Sequence, residues 1–244
     1  MPEKIFFISD SHLVSPSDPE EKSKYARLNS FFEMVARQKA SLYILGDYFD
    51  FFYEYRTVIP KQCVHGLFLL QKLKEAGVII HYLTGNHDHW MDNFLNDEMG
   101  IHVYHRPLSI ELGSKKFLLL HGDGLSELDR SYRWMRRVLR HPVNRFLFRW
   151  LHPDAGVVLA NRLSHASKQH DKNYEKYVND RSFYGFIEKK FSEGYDAVLM
   201  GHHHLPKEEI IRNKIYINLG DWVRHSSYVE WNDGHLSLKH WTLE

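Results

Sequence analysis

Five short motifs gather carboxylates, imidazoles and one side-chain amide: Asp10-Ser11-His12, Gly46-Asp47-Tyr48-Phe49-Asp50, Gly85-Asn86-His87-Asp88, His121-Gly122-Asp123 and Gly201-His202-His203-His204. Oxygen and imidazole donors without thiolate suit intermediate divalent cations such as manganese, iron or zinc. Asp10, His12, Asp47, Asn86, His121, His202 and His204 make seven ligands, too many for one tetrahedral ion and suitable for two. Two cations about 3.5–4 Å apart need a bridging carboxylate, and Asp47, in the central motif, is the natural bridge. Such a pair polarises a phosphoryl oxygen and lowers the pKa of a water between the ions, the chemistry of phosphoester hydrolysis. Any one of these motifs alone reads as a turn or a helix cap. Five in order, each after an apolar segment, are hard to produce by accident.

Those apolar segments are the elements that must position the ligands. Strands are predicted at 4–9, 42–45, 78–83, 101–104, 108–112 and 116–120, with helices at 20–38, 60–76 and a short one at 90–99. Leu28, Phe31, Phe32 and Val35 lie on one face of the first helix. Residues 126–193 have a helical pattern throughout, and strands return at 196–200, 207–212, 215–218, 228–232 and 236–240. Alternating strands and helices imply an α/β sheet with ligands gathered at the carboxyl ends of its strands. The expectation is one α/β domain over residues 1–244 with a helical cap inserted at about 126–193. In extended backbone successive side chains alternate, so His202 and His204 point one way and His203 the other.

Composition narrows the setting. Cys63 is the only cysteine, so an internal disulfide and thiolate zinc sites are excluded. The run Ile5-Phe6-Phe7-Ile8 is too short and too soon acidic for a signal peptide, and no stretch is apolar enough to span a bilayer. The net charge of +1 hides an asymmetry. Residues 127–168 carry nine Lys and Arg against three acids, leaving −5 elsewhere, which points to a local anionic partner.

The five motifs together resemble the calcineurin-like metallophosphoesterases. That resemblance implies a sandwich of two β-sheets flanked by helices. It implies one metal on Asp10, His12, Asp47 and His204 and a second on Asp47, Asn86, His121 and His202. It makes His87 the general acid or transition-state stabiliser, oriented by Asp50 or Asp88. With Asp129, Tyr132 and Ser167-Lys168 in the insertion and Ile217-Asn218-Leu219-Gly220-Asp221-Trp222 near the end, the chain also resembles the UDP-2,3-diacylglucosamine pyrophosphatases of lipid A synthesis. Those enzymes hydrolyse UDP-2,3-diacylglucosamine at the α-phosphate, giving UMP and 2,3-diacylglucosamine 1-phosphate. They are manganese-dependent, cytoplasmic and peripheral to the inner membrane, with a helical cap around the acyl chains. By matched position, Asn86, His87, Asp129, Tyr132, Ser167, Lys168, Lys172 and His202 contact substrate. His87 stands where the best-known branch has arginine, which sets the chain in a related branch.

The insertion reads in two ways. Trp134, Met135, Val138 and Leu139 share a helical face, as do Val143, Phe146, Leu147, Trp150 and Leu151 after Pro142. Either the two helices pack on each other, or the apolar face meets acyl chains or membrane while Arg133, Arg137 and Arg140 meet head groups. Trp222 reads as core, with Arg224 near enough to reach a phosphate. The expected partners are UDP-diacylglucosamine and the inner-membrane surface, with no nucleic acid. The alternative is a metallophosphodiesterase on nucleotides or nucleic acid, whose backbone the arginines would track.

Overall fold

A computed structural model describes residues 4–126, 130–159 and 181–243, with the side chains of residues 130–132, 135 and 181 outside that description. One sheet contains β1 (Ile5–Ile8), β2 (Ser41–Leu45), β3 (Ile80–Leu83), β4 (His102–Tyr104), β10 (Ser227–Asn232) and β11 (His235–His240), in the order β11-β10-β1-β2-β3-β4. The other contains β5 (Leu108–Leu112), β6 (Lys115–Leu120), β7 (Ala197–Met200), β8 (Lys207–Ile211) and β9 (Lys214–Asn218), in the order β5-β6-β7-β9-β8. β1 to β4 are mutually parallel, as are β6, β7 and β9, and antiparallel strands close every edge except that of β4.

The strand sequences explain the layering. In β1, Ile5 and Phe7 face the second sheet, where they meet Phe117, Leu119, Leu199 and Ile217. Phe6 and Ile8 face the other way, onto Leu28, Phe31 and Leu70 of the helices α1 (Pro19–Arg37) and α2 (Val64–Glu75). A strand covered on both sides has no polar face, so its sequence is a continuous apolar run. The second sheet repeats the arrangement: Leu118, Leu120, Val198 and Met200 pack on Phe183, Ile187 and Phe191 of the helix Arg181–Ser192. The result is helices, sheet, sheet, helix, with all the parallel strands delivering their carboxyl ends to one rim.

α1 begins where local chemistry asks for it. Asp18 caps it by accepting the Glu21 N–H at 2.9 Å, and Pro19 takes the first helical position. The short helix expected at 90–99 shrinks to α3 (Phe94–Asp97). Trp90 instead bridges to Tyr53, and the Glu54 carboxylate accepts the N–H groups of Asp92, Asn93 and Phe94, which fixes the start of the turn. Between β6 and β7 the described residues form α4 (Arg130–Leu139), α5 (Pro142–Arg149), a helical stretch at 153–159 and Arg181–Ser192, hereafter α6.

α4 and α5 do not bury the apolar stripe seen in their sequence. Trp134, Phe146 and Trp150 are 68%, 58% and 77% exposed. Arginines fix the pair to the body instead. Arg136 and Arg140 reach the Asp123 carboxylate at 2.8 and 3.1 Å, and Arg145 reaches Asp92 at 2.5 Å with Arg149 beside it. Phe148 is the one residue of α5 that turns inward, packing on Tyr53 and Trp90. Trp222 is fully buried against Phe31, and Arg224 is exposed.

Candidate metal centre

The loops after β1 and β2 continue side by side beyond their strands. Asp10, His12 and Leu13 donate their N–H groups to the carbonyls of Gly46, Asp47 and Tyr48 at 3.1, 2.9 and 2.9 Å. The loops after β3, β6 and β7 arrive at the same rim with Asn86, His121 and the three consecutive histidines. Five of the seven candidate ligands have left-handed backbone: Asp10, His12, Asp47, His202 and His204, with φ of 54°, 43°, 53°, 69° and 56°. Such conformations are unfavourable for residues with a side chain and gather where function demands them. Glycine makes room at the tightest approach. A Cβ on Gly85 would collide with the Asp47 carboxylate.

Side-chain donor atoms converge at ligand-like separations. Asp10 Oδ1 lies 3.2 Å from His204 Nε2 and 3.7 Å from His12 Nε2, and the two imidazole nitrogens are 3.2 Å apart. Asp47 Oδ2 lies 3.2 Å from His121 Nε2 and 4.0 Å from both His12 Nε2 and His87 Nε2. Asn86 Oδ1 lies 2.9 Å from His121 Nε2. Asp47 is thus the carboxylate common to both groups. His202 brings its ring to within 5.2 Å of the His121 ring while its N–H donates to Asp10 Oδ2 at 2.8 Å.

The set fits divalent cations. The outer nitrogen of His121, Nδ1, sits 2.8 Å from the Leu45 carbonyl and donates to it. In the neutral tautomer Nε2 then presents a lone pair to the Asp47 and Asn86 oxygens, a set that a cation between them satisfies. Asp10 Oδ1 is buried with no hydrogen-bond partner. Protons and cations compete for these atoms. Burial pushes the His12 pKa down, but the adjoining carboxylates of Asp10, Asp50 and Asp47 outweigh it and lift it to about 10. Burial opposes ionisation of Asp10 and Asp47 too, yet the surrounding imidazoles hold both below the usual carboxylate range. His202, buried beside His121, is pushed down to about 4.

His203 is turned away, buried against Phe183 of α6 at 5.0 Å between ring centroids. The separation of His202 and His204 from His203 therefore exists, but extended backbone does not produce it. β7 stops at Met200, and the left-handed residues 202 and 204 turn their rings inward.

His87 Nδ1 donates to the backbone carbonyl of Asp50 at 2.6 Å, and its ring stands edge-on to His12. The Asp50 carboxylate lies 3.3 Å from His12 Nδ1, so Asp50 serves two histidines, one through its backbone and one through its side chain. Asp88 does not orient His87. Its carboxylate accepts the N–H groups of Gly85 and Tyr48 at 2.7 and 3.0 Å and the Tyr82 hydroxyl at 2.5 Å. It joins the loop after β3 to the loop after β2. Asp129, Ser167, Lys168, Lys172 and the side chain of Tyr132 lie outside the described residues.

Two carboxylates join the site that ligand-type reasoning left out. Asp221 Oδ1 accepts the N–H groups of Arg224 and His225, while Oδ2 lies 3.6 Å from His204 Nδ1. The signal was the Gly220-Asp221 pair directly after a strand. Asp123 sits behind His121, held ionised against burial by Arg140, His121 and Arg136. Beside His12 and Asp50 opens a largely apolar cavity of about 800 Å³, whose wall joins Val58, Ile59, Val157 and Val158 to the charged Glu21, Lys24, Lys61 and Asp154.

Two facing sheets whose parallel strands deliver this donor set to one rim define a metal-dependent phosphoesterase. The chain belongs to the calcineurin-like phosphoesterase family, whose model matches residues 3–206. It is similar to a UDP-2,3-diacylglucosamine hydrolase of Porphyromonas gingivalis, 33% identical, with 98% of each chain covered. A UDP-2,3-diacylglucosamine hydrolase of Pseudomonas putida is 30% identical, covering 90% of this chain and 91% of the relative. Among solved structures, a dimetal phosphatase from Danio rerio shares the fold at TM-score 0.54 and 12% identity, covering 98% of this chain and 96% of that one. An archaeal phosphodiesterase does so at 0.51 and 14%, covering 97% and 99%.

Proposed function

We propose that the protein hydrolyses the pyrophosphate of UDP-2,3-diacylglucosamine at the α-phosphate, releasing UMP and 2,3-diacylglucosamine 1-phosphate. The observation that carries this reading is the apolar cavity opening directly onto His12 and Asp50. A phosphoester site meant for sugars or nucleic acid has little use for a space of mainly apolar surface, with Val58, Ile59, Val157 and Val158 in its wall, whereas acyl chains need one. The relatives' names agree with it.

The ligands divide as Asp10, His12, Asp47 and His204 for one ion, and Asp47, Asn86, His121 and His202 for the other, with manganese the preferred metal. Divalent cations held there supply Lewis-acid polarisation and an activated water. The chain's own residues do the rest. Burial keeps His87 below the usual histidine pKa. The Asp50 carbonyl accepts the Nδ1–H and leaves Nε2 facing the cluster as an acceptor, so His87 bonds the phosphoryl or leaving oxygen only once Nε2 has taken up a second proton. Asn86, His87, His202, Asp129, Tyr132, Ser167, Lys168 and Lys172 form the substrate-contacting set.

No helix among the described residues is long and apolar enough to cross a membrane. The outward Trp134, Phe146 and Trp150, flanked by arginines, suit a peripheral seat on the cytoplasmic face of the inner membrane, where the substrate resides. The test is product analysis with UDP-2,3-diacylglucosamine beside a cyclic nucleotide. Appearance of UMP and the lipid phosphate, with the cyclic nucleotide little changed, is expected; the reverse preference would reject the reading.

A further inference from the structure

A second cavity, of about 310 Å³, meets the ligand cluster at its other end. It shares His121 and Asp123 with the cluster, whereas the apolar cavity shares His12 and Asp50. Its remaining polar wall is Thr84, His89, His105, Arg106, Arg136 and Arg140. Thr84 Oγ1 lies 3.5 Å from His89 Nδ1 and 3.4 Å from His105 Nδ1, which draws the loops after β3 and β4 together. Arg136 and Arg140 are held in place by Asp123.

We propose that this cavity receives the nucleoside monophosphate arm of the substrate, with Arg106, His105 and Thr84 as specificity residues. The inference rests on the diphosphate diester reading above. A substrate with a lipid arm and a nucleotide arm, cleaved between them, needs two dissimilar pockets on either side of the reacting phosphorus. One cavity is largely apolar, with Glu21, Lys24, Lys61 and Asp154 also in its wall, and the other is lined with guanidinium and imidazole. Three guanidinium groups make the second space a poor host for an acyl chain, since burying hydrocarbon there strips water from the charges. Guanidinium suits the phosphate and the flat face of a base. Burial, aided by Arg140, keeps His89 neutral, with its pKa pushed down to about 3, and burial lowers that of His105. A neutral imidazole has both a donor and an acceptor, as the edge of a pyrimidine requires. The volume is at the lower end of those that hold small organic ligands, in keeping with one nucleoside.

The test compares the affinities of uridine 5′-monophosphate and inorganic phosphate for the full-length manganese-loaded protein and its Arg106→Glu and Thr84→Val variants. Arg106 is exposed, and an unchanged melting temperature confirms that its replacement leaves the fold intact. Binding of the nucleotide is expected to weaken about tenfold, the loss of one charge-assisted contact, with phosphate binding unaltered. Equal weakening of both would mark a simple anion site and overturn the proposal, as would unchanged nucleotide binding. A short RNA bound more tightly than the mononucleotide, and weakened by the same variant, would overturn it in favour of a nucleic-acid groove. If Arg106 governs nucleotide binding but UDP-2,3-diacylglucosamine is not cleaved, the cavity stands and the functional reading falls. If UDP-2,3-diacylglucosamine is cleaved with the same KM by the parent and both variants, the functional reading stands and the cavity assignment falls.

Discussion

His121 donates through Nδ1 to the carbonyl of Leu45, 2.8 Å away, and thereby commits its other nitrogen to the ligand cluster. A main-chain atom thus decides the tautomer of a side chain that must be neutral to hold a cation. The metal-free cluster is therefore a set of ligands competing with protons.

Cation affinity should consequently rise with pH. His12 is held protonated up to about pH 10 when no cation is present, and it must lose that proton to become a ligand. Between pH 6.5 and 9 each proton displaced raises the apparent affinity by roughly tenfold per unit. In the metal-free protein the sign is opposite for stability: the raised pKa contributes fully below about pH 6.5 and is lost as pH climbs towards 10. Calorimetric titration with manganese in buffers of differing ionisation heat measures the release. Chelation should abolish hydrolysis, and Asp47→Ala should be the most damaging ligand substitution. A pH-independent affinity would show that His12 is not a ligand.

The three consecutive histidines should separate cleanly. His202→Ala and His204→Ala are expected to lower kcat by two or more orders of magnitude. His203→Ala should leave cation affinity intact and instead lower the melting temperature, because its ring packs on Phe183. Equal losses of activity at all three positions would refute this placement.

Asp88→Ala should behave unlike a ligand substitution. Its carboxylate satisfies two N–H groups and a tyrosine hydroxyl from two loops, so its removal strands buried donors at a cost of about 1–3 kcal/mol each. The expected result is a lower melting temperature with reduced affinity for both cations together. A loss of turnover alone, at full stability and full metal content, would return Asp88 to the role of orienting His87.

Much of this site was legible in the residues themselves. Oxygen and nitrogen donors after apolar runs identify strand ends, and parallel strands send their ends to one place. The partners of Asp88 were not legible, since Tyr48 and Asp88 are 40 residues apart and meet only through β2–β3 pairing. Nor was the direction of the apolar stripe on α4 and α5. Periodicity locates a face without saying what it faces, and here arginine contacts to Asp92 and Asp123 leave that face outward.

That outward face yields its own expectation. Replacing Trp134, Phe146 or Trp150 with glutamate should weaken sedimentation with anionic phospholipid vesicles by roughly tenfold to hundredfold per residue, the worth of burying one such side chain. If instead the stripe covers another part of the protein, the same substitutions would lower the melting temperature and leave vesicle binding unmoved.

The five left-handed candidate ligands lie where backbone strain gathers at a cluster of donor atoms. Glycine should therefore be a better replacement than alanine at Asp10, His12, Asp47, His202 and His204. The difference is about 1 kcal/mol in the metal-free protein, since both variants lose the same side-chain chemistry and only the Cβ strain distinguishes them. At Asn86 and His121, which are not in that conformation, alanine should be the better one. Paired melting curves at the seven positions would thus separate the ligands that bend the chain from those that the chain presents without strain.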